Sequence, residues 1–175
     1  MDRKAARGAS QRFAHDLIAG NRAEEVVAEA LRGRASVLLG FNDDWRGDFA
    51  MLMDGWPYVF EVKDESNQDT GNVCIETWQG DPPRWSGIHM THAQVQVHLL
   101  PRGKAVAFEV VSMRQYIAEM RLASYPLSGA DNNALGVLVP VADIAKHVHW
   151  CAHCDLERLG EYSQLWPGAV RNETR

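Results

Sequence analysis

The sequence predicts an α/β (α+β) protein whose central mixed β-sheet is flanked by helices. Helix-like and strand-like hydrophobic patterns follow in the order helix, several strands, helix, strand, helix, strand, helix, which suits a sheet with helices packed on it. Two strand-like runs meet at Asp54-Gly55, a dipeptide suited to tight hairpin turns. With 175 residues and 46% hydrophobic content, the chain can bury the core of one domain. Its longest apolar stretches, such as Val106 to Phe108 and Gly136 to Val141, fall far short of the ~20 residues of a bilayer span. The opening Met1-Asp2-Arg3-Lys4 is polar, with no apolar stretch typical of a secretion signal, so a cytoplasmic location is expected. Three cysteines, an odd number, argue against a disulfide scaffold.

Residues 1–19 form a basic lead-in, with Phe13, Leu17 and Ile18 at roughly helical spacing and Gly20-Asn21 as its end. Asn21 to Leu31 predicts a helix, capped by Asn21 and acidic in its first turns. On a 3.6-residue period Glu24, Val27, Ala28 and Leu31 share one stripe, while Glu25 and Glu29 share the wet one. A carboxylate on the apolar edge, as at Glu24, needs a partner. Ala35 to Leu39 reads as a short strand and 42–47 as an irregular acidic loop. The hairpin then pairs Asp48 to Met53 with Trp56 to Lys63. In its second arm Trp56, Tyr58, Phe60 and Val62 point one way, and Val59, Glu61 and Lys63 the other.

Residues 64–71 read as a loop, Asn72 to Thr77 as a third strand and Gly80 to Gly87 as a turn rich in breakers. Ile88 to Leu100 reads as a helix closed by Pro101-Arg102-Gly103. Ala105 to Val111 is expected as a strand, Ser112 to Ala123 as a helix capped by Ser112, Gly136 to Val141 as a strand, and Ala142 to Lys146 as a last helix.

Charge is unevenly spread. Residues 1–34 carry a formal +2 and the remainder −7. An acidic excess speaks against a large nucleic-acid footprint unless some carboxylates are gathered to hold divalent cations. Glu24, Asp48, Glu61 and Lys63 supply such a group: the hairpin brings Asp48 and Glu61 together at one strand end, where two acids repel unless a cation lies between them. Hard oxygen ligands of this kind suit Mg²⁺ or Mn²⁺. A lysine two residues on can position a water and stabilise negative charge growing on a phosphate. The combination describes metal-assisted phosphodiester hydrolysis.

At these residues the chain resembles the PD-(D/E)XK nuclease superfamily, the restriction-endonuclease-like fold: Gly47-Asp48, a hairpin, then Glu61-Val62-Lys63, preceded by a helix containing Gly20-Asn21-Arg22-Ala23-Glu24. The resemblance implies a Mg²⁺- or Mn²⁺-dependent deoxyribonuclease. Asp48 and Glu61 would bind the metal, Val62 would contribute its carbonyl, Lys63 would assist the attacking water and Glu24 would join the site. Gly47 stands where the family has proline. The run from Thr70 to Gln94 also resembles phage and bacterial members, in which a polar residue on the following helix supports the site; here that is Gln94. The implied nuclease core spans residues 20–146, its partner is DNA, and two protomers forming a homodimer would let it cut two strands. The basic residues Arg3, Lys4, Arg7, Arg12 and Arg22 would steer the phosphate backbone.

A second constellation, His147, His149, Cys151 and Cys154, opens the C-terminal stretch 147–175 and has the ligand types of a structural Zn²⁺ site, though no second C-x-x-C is present. It supports a rival reading as a zinc-stapled protein-interaction module; another rival is a catalytically silent nucleic-acid-binding module. Trp78, Arg84, Trp85 and Ser86 surround Pro82-Pro83, where aromatic and basic groups could touch a nucleic-acid strand or pack over the core edge. The helical phase is testable: Glu24→Ala should reduce Mg²⁺-dependent DNA cleavage far more than Glu25→Ala, and equal effects would show the phase to be wrong.

Overall fold

The structure is a computed structural model, which describes residues 20–32, 36–41, 47–67, 69–127, 133–148 and 151–165. The lead-in of residues 1–19 and the acidic loop 42–46 lie outside the described residues, as do His149 and residues 166–175. The first described element is helix α1, residues 20–30. Its Ala23, Val27, Ala28 and Leu31 side are buried, Glu25 and Glu29 are exposed, and Glu24 lies between, as the 3.6-residue period requires.

Strands β1 (Ser36–Phe41), β2 (Phe49–Met53) and β3 (Trp56–Asp64) form an antiparallel meander. The β2–β3 turn is held by positive φ at Asp54 (49°) and Gly55 (83°), the left-handed pair a two-residue hairpin needs. Its register sets Phe49 opposite Phe60, and their rings stack with centroids 4.9 Å apart. Tyr58, Phe60 and Val62 are buried while Val59, Glu61 and Lys63 line the other face, in the expected alternation.

The chain then leaves this sheet for β4 (Asn72–Gln79) and the two-residue β5 (Arg84–Trp85), makes a 3₁₀ turn at Gly87–His89, and returns as β6 (Val95–Leu100). Here the structure corrects the sequence reading. Ile88 to Leu100 is not a helix, because Val95, Val97 and Leu99 alternate with Gln96 and His98 at period two, and both sets are buried where β6 runs between two neighbours. β6 pairs parallel with β3 and antiparallel with β7 (Lys104–Glu109). Parallel neighbours require a crossover, usually a helix; in this chain β4, β5 and the 3₁₀ turn make it.

Helix α2 (Val110–Met120) starts two residues before Ser112, whose hydroxyl donates to the Glu109 carboxylate instead of capping the helix. It ends at Arg121, in the left-handed region at φ 48°. After the short strand β8 (Tyr125–Pro126) come β9 (Leu135–Pro140), helix α3 (Val141–His147) and β10 (Cys151–Asp155). β10 pairs with β7, so the stretch after 147 is not a separate tail: its first residues complete the main sheet.

The result is a mixed six-stranded sheet, β1-β2-β3-β6-β7-β10, and an antiparallel four-stranded sheet, β5-β4-β9-β8. One core lies between the large sheet, α1 and Leu159; it holds Phe49, Met51, Phe60, Val97 and Leu31. The other lies between the opposite face, the small sheet, α2 and α3; it holds Ile75, Phe108, Met113, Val139 and Ile144. No helix among the described residues is long and apolar enough to cross a membrane. Because Phe60 is fully buried and stacked on Phe49, Phe60→Ala should lower unfolding stability by about 3–5 kcal/mol. Urea denaturation measures this, and a midpoint close to the parent's would contradict the assigned hairpin register.

Candidate active site

Gly47 adopts φ +136°, which proline cannot reach. A Cβ there would lie 2.6 Å from Val59 Cγ1 and 2.9 Å from the Phe60 carbonyl oxygen, so only glycine lets the chain come this close to β3. Glycine at this position is thus a backbone requirement of this loop. The close approach lets the Asp48 N–H donate to the Phe60 carbonyl at 2.7 Å, and Asp48 Oδ2 accepts from the Val62 N–H at 2.5 Å. The Val62 carbonyl leaves the strand on the same side as its N–H and so faces the Asp48 side of β3.

Glu61 and Lys63 stand beside Asp48 on the face of β3 turned away from the Phe49–Phe60 core. Lys63 Nζ lies 2.6 Å from Glu61 Oε1. The other Glu61 oxygen accepts from Thr91 Oγ1 at 3.2 Å. Thr91 is buried, and its loop is tied down by α2: Arg114 donates to the Ile88 carbonyl at 2.6 Å and to the Thr91 carbonyl at 2.7 Å. Thr91 and Arg114 are residues that sequence reasoning missed.

The charges act on one another. Asp48 is pushed above its ordinary value of 3.8, first by burial and then by the like charge of Glu61; the Val62 N–H and Lys63 offset only part of this. Burial alone would lower Lys63, but Glu61, followed by Asp48 and Glu76, turns its net shift upward. The lysine is therefore held as an ammonium. Glu76 on β4 thus belongs to the same electrostatic cluster, although it was read only as part of a strand. It accepts a hydrogen bond from Ser86 Oγ just after β5.

The other expected site residues fall differently. Glu24 is half-buried on the α1 face that packs into the Phe49–Phe60 core. Gln94 is not on a helix: it lies in the turn before β6, where Oε1 accepts from the Val59 N–H at 2.7 Å and its own N–H donates to the Val59 carbonyl at 3.0 Å. Its support is to the β3 backbone. Cys151 and Cys154 are three apart on a strand and leave it on opposite faces, opposite Phe108 and Ala105 respectively. They cannot share one tetrahedral ion while β10 is formed. His147 stacks on Tyr116 with centroids 5.7 Å apart.

A buried polar chain adjoins the site. β3–β6 register sets Glu61 beside Gln96 and Lys63 beside His98. His98 is fully buried, its Nδ1 2.6 Å from Glu65 Oε1 and its Nε2 3.0 Å from Gln96 Nε2. With the amide nitrogen turned to the ring, Nε2 accepts and Nδ1–H donates to Glu65. Glu65 also accepts from the Cys74 N–H at 2.9 Å. Gln96 Oε1 is buried with no hydrogen-bond partner among the described residues.

The donor set suits a hard divalent cation. Asp48 and Glu61 repel, and Mg²⁺ needs only one or two carboxylates with its other positions filled by water. No group of three or more His, Cys, Asp or Glu side chains forms a ready metal cage among the described residues. Comparison of the chain with protein-family models, with curated proteins and with solved structures finds no match.

A carboxyl whose folded pKa is raised favours the fold while protonated and weakens it once ionised, as pH rises through the raised value. Asp48→Asn keeps an oxygen for the Val62 N–H and removes the charge. It should raise the Tm at pH 7 by about 2–4 °C, with the gain fading as pH falls toward 3.8. Thermal melts across that range decide it; a lower Tm at neutral pH would contradict the charge repulsion.

Proposed function

We propose that the protein is a Mg²⁺- or Mn²⁺-dependent deoxyribonuclease with a restriction-endonuclease-like, PD-(D/E)XK core. The observation that carries this reading is the convergence of three groups at the end of one hairpin. Asp48 is bonded to the Val62 N–H, and Glu61 is paired with Lys63. The order helix, three antiparallel strands, then a strand parallel to the third also supports it. The crossover departs from the family's pattern, since strand and turn occupy the place of the expected helix.

Asp48, Glu61 and the Val62 carbonyl would hold the metal, while Glu24, on the α1 face packed on the Phe49–Phe60 side of β3, is not counted among its ligands. Such an ion makes bound water more acidic and polarises a phosphoryl oxygen. Lys63 is charged, so it acts through its positive field: it orients water by donating hydrogen bonds and stabilises the charge gathering on the phosphate oxygens. Glu61 keeps the ammonium in place, and Thr91 fixes the opposite carboxylate oxygen. Hydrolysis breaks one P–O ester bond and adds water across it. DNA is the proposed substrate, and a homodimer would cut both strands.

Asp48→Ala and Lys63→Ala should each reduce Mg²⁺-dependent cleavage of labelled DNA by about 100- to 1,000-fold while the fold persists. Mn²⁺ should raise the Tm of the parent protein but not of Asp48→Ala. Retention of cleavage in both variants refutes the assignment; a parent protein inert on duplex, single-stranded, junction and flap DNA points to a catalytically silent module.

A further inference from the structure

The small sheet, whose Glu76 reaches the charge cluster of the candidate site, carries an aromatic pair with one well-exposed ring. Trp85 is 52% exposed on the two-residue edge strand β5. Its ring is stacked on Trp78, centroids 3.9 Å apart and planes 20° from parallel, with His89 at 4.0 Å and 63°. A tryptophan that merely covered the core edge would be mostly buried; here Trp78 takes the half-buried position and props Trp85 toward solvent. An open cleft of about 540 Å³ adjoins it, lined by Arg84, Gln79, Asp81, Pro82 and Asn133 among others. That volume is in the range of small-ligand pockets.

The pair is tied to the charged cluster through two covalent neighbours. Ser86 follows Trp85 and donates to Glu76, whose charge acts on Lys63. Trp78 lies two residues beyond Glu76 on β4, within about 7 Å along the strand and across a register shift in the β4–β9 pairing. A strand with one phosphate at Asp48, Glu61 and Lys63 would therefore have a neighbouring base within reach of the tryptophans.

We propose that Trp85, propped by Trp78 and flanked by Arg84, is a stacking platform for unpaired bases of single-stranded DNA next to the site. The location of the scissile phosphate rests on the nuclease reading; the platform does not. In a duplex the flat faces of the bases are covered by their neighbours, so only an unpaired base offers a face to an indole. Electrostatics points the same way. The chain carries a net charge of −5 and the cleft sets Asp81 against Arg84, so attraction to phosphates is weak and affinity must come from stacking.

The test is fluorescence anisotropy in EDTA, which prevents cleavage, using the full chain and a labelled oligothymidylate of about 16 nucleotides. The parent should bind this strand more tightly than a blunt duplex of equal length. Trp85→Ala should weaken single-strand binding by about 5- to 100-fold, Trp85→Phe should keep most of it, and duplex binding should change by less than about twofold. Arg84→Ala should flatten the salt dependence by roughly the slope of one phosphate contact. Circular dichroism checks the fold, and Trp85→Phe preserves the test if the alanine variant does not fold. Unchanged single-strand affinity in Trp85→Ala, equal losses on duplex, absence of binding by the parent, or tighter binding of oligouridylate would overturn the proposal. A parent protein inert on every DNA form with Mg²⁺ or Mn²⁺ would sink the nuclease reading and leave this platform standing.

Discussion

Two carboxylates and one ammonium share the end of one strand, and the surrounding structure is organised around their mutual field. Asp48 and Glu61 repel each other in a half-buried setting, and among the described residues the Val62 N–H and the Lys63 ammonium work against that repulsion. Such crowding does not help the chain fold; groups placed for chemistry often weaken the structure that holds them. The neighbouring packing supplies the constraint. Gly47 brings the loop against β3, the Phe49–Phe60 stack locks the hairpin register, and Arg114 pins the loop that carries Thr91 to Glu61. Each of these contacts fixes a charged group through the backbone beneath it.

The parallel pairing of β3 with β6 extends this arrangement and explains why polar groups lie so deep. β3 and β6 run side by side, so whatever faces outward from one lies against the other. With Glu61 and Lys63 required on β3, an apolar partner on β6 would leave charges against hydrocarbon. Gln96 and His98 occupy those positions, and Glu65 anchors the imidazole. Low local dielectric strengthens such a network when its members are satisfied and makes an unpaired atom costly. Gln96 Oε1, without a hydrogen-bond partner among the described residues, lies beside Glu61 in the strand register.

The parts of the fold legible in the sequence were those set by neighbours along the chain. The Asp54-Gly55 turn, the alternation through Trp56 to Lys63 and the phase of α1 each depend on a few adjacent residues, and together they brought Asp48 to Glu61 and Lys63. β6 was misread because its polar positions are buried: a central strand loses the contrast between wet and dry faces. The two long strands of the small sheet, β4 and β9, were legible as strands, but their pairing was not, since the partners lie some 60 residues apart and no local pattern announces them. Two signals were present but unused. Period two sets Glu76 opposite Val73, Ile75 and Thr77, away from the apolar core. The same rule separates Cys151 from Cys154 once their segment is a strand.

Lys63 shows how the two levels meet. Its identity and spacing suggest a residue that handles water, but not whether it would act as a base or as a cation. Burial would favour the neutral amine, and a lone lysine in that position would be drawn toward base chemistry. Three surrounding carboxylates reverse the balance, and two of them, Glu61 and Asp48, come from the same hairpin. The third, Glu76, arrives from the small sheet. The protonation state of the lysine is thus set first by Glu61 on its own strand and then by Asp48, while the crossover through β4 closes the path between the parallel strands and adds the smaller contribution of Glu76.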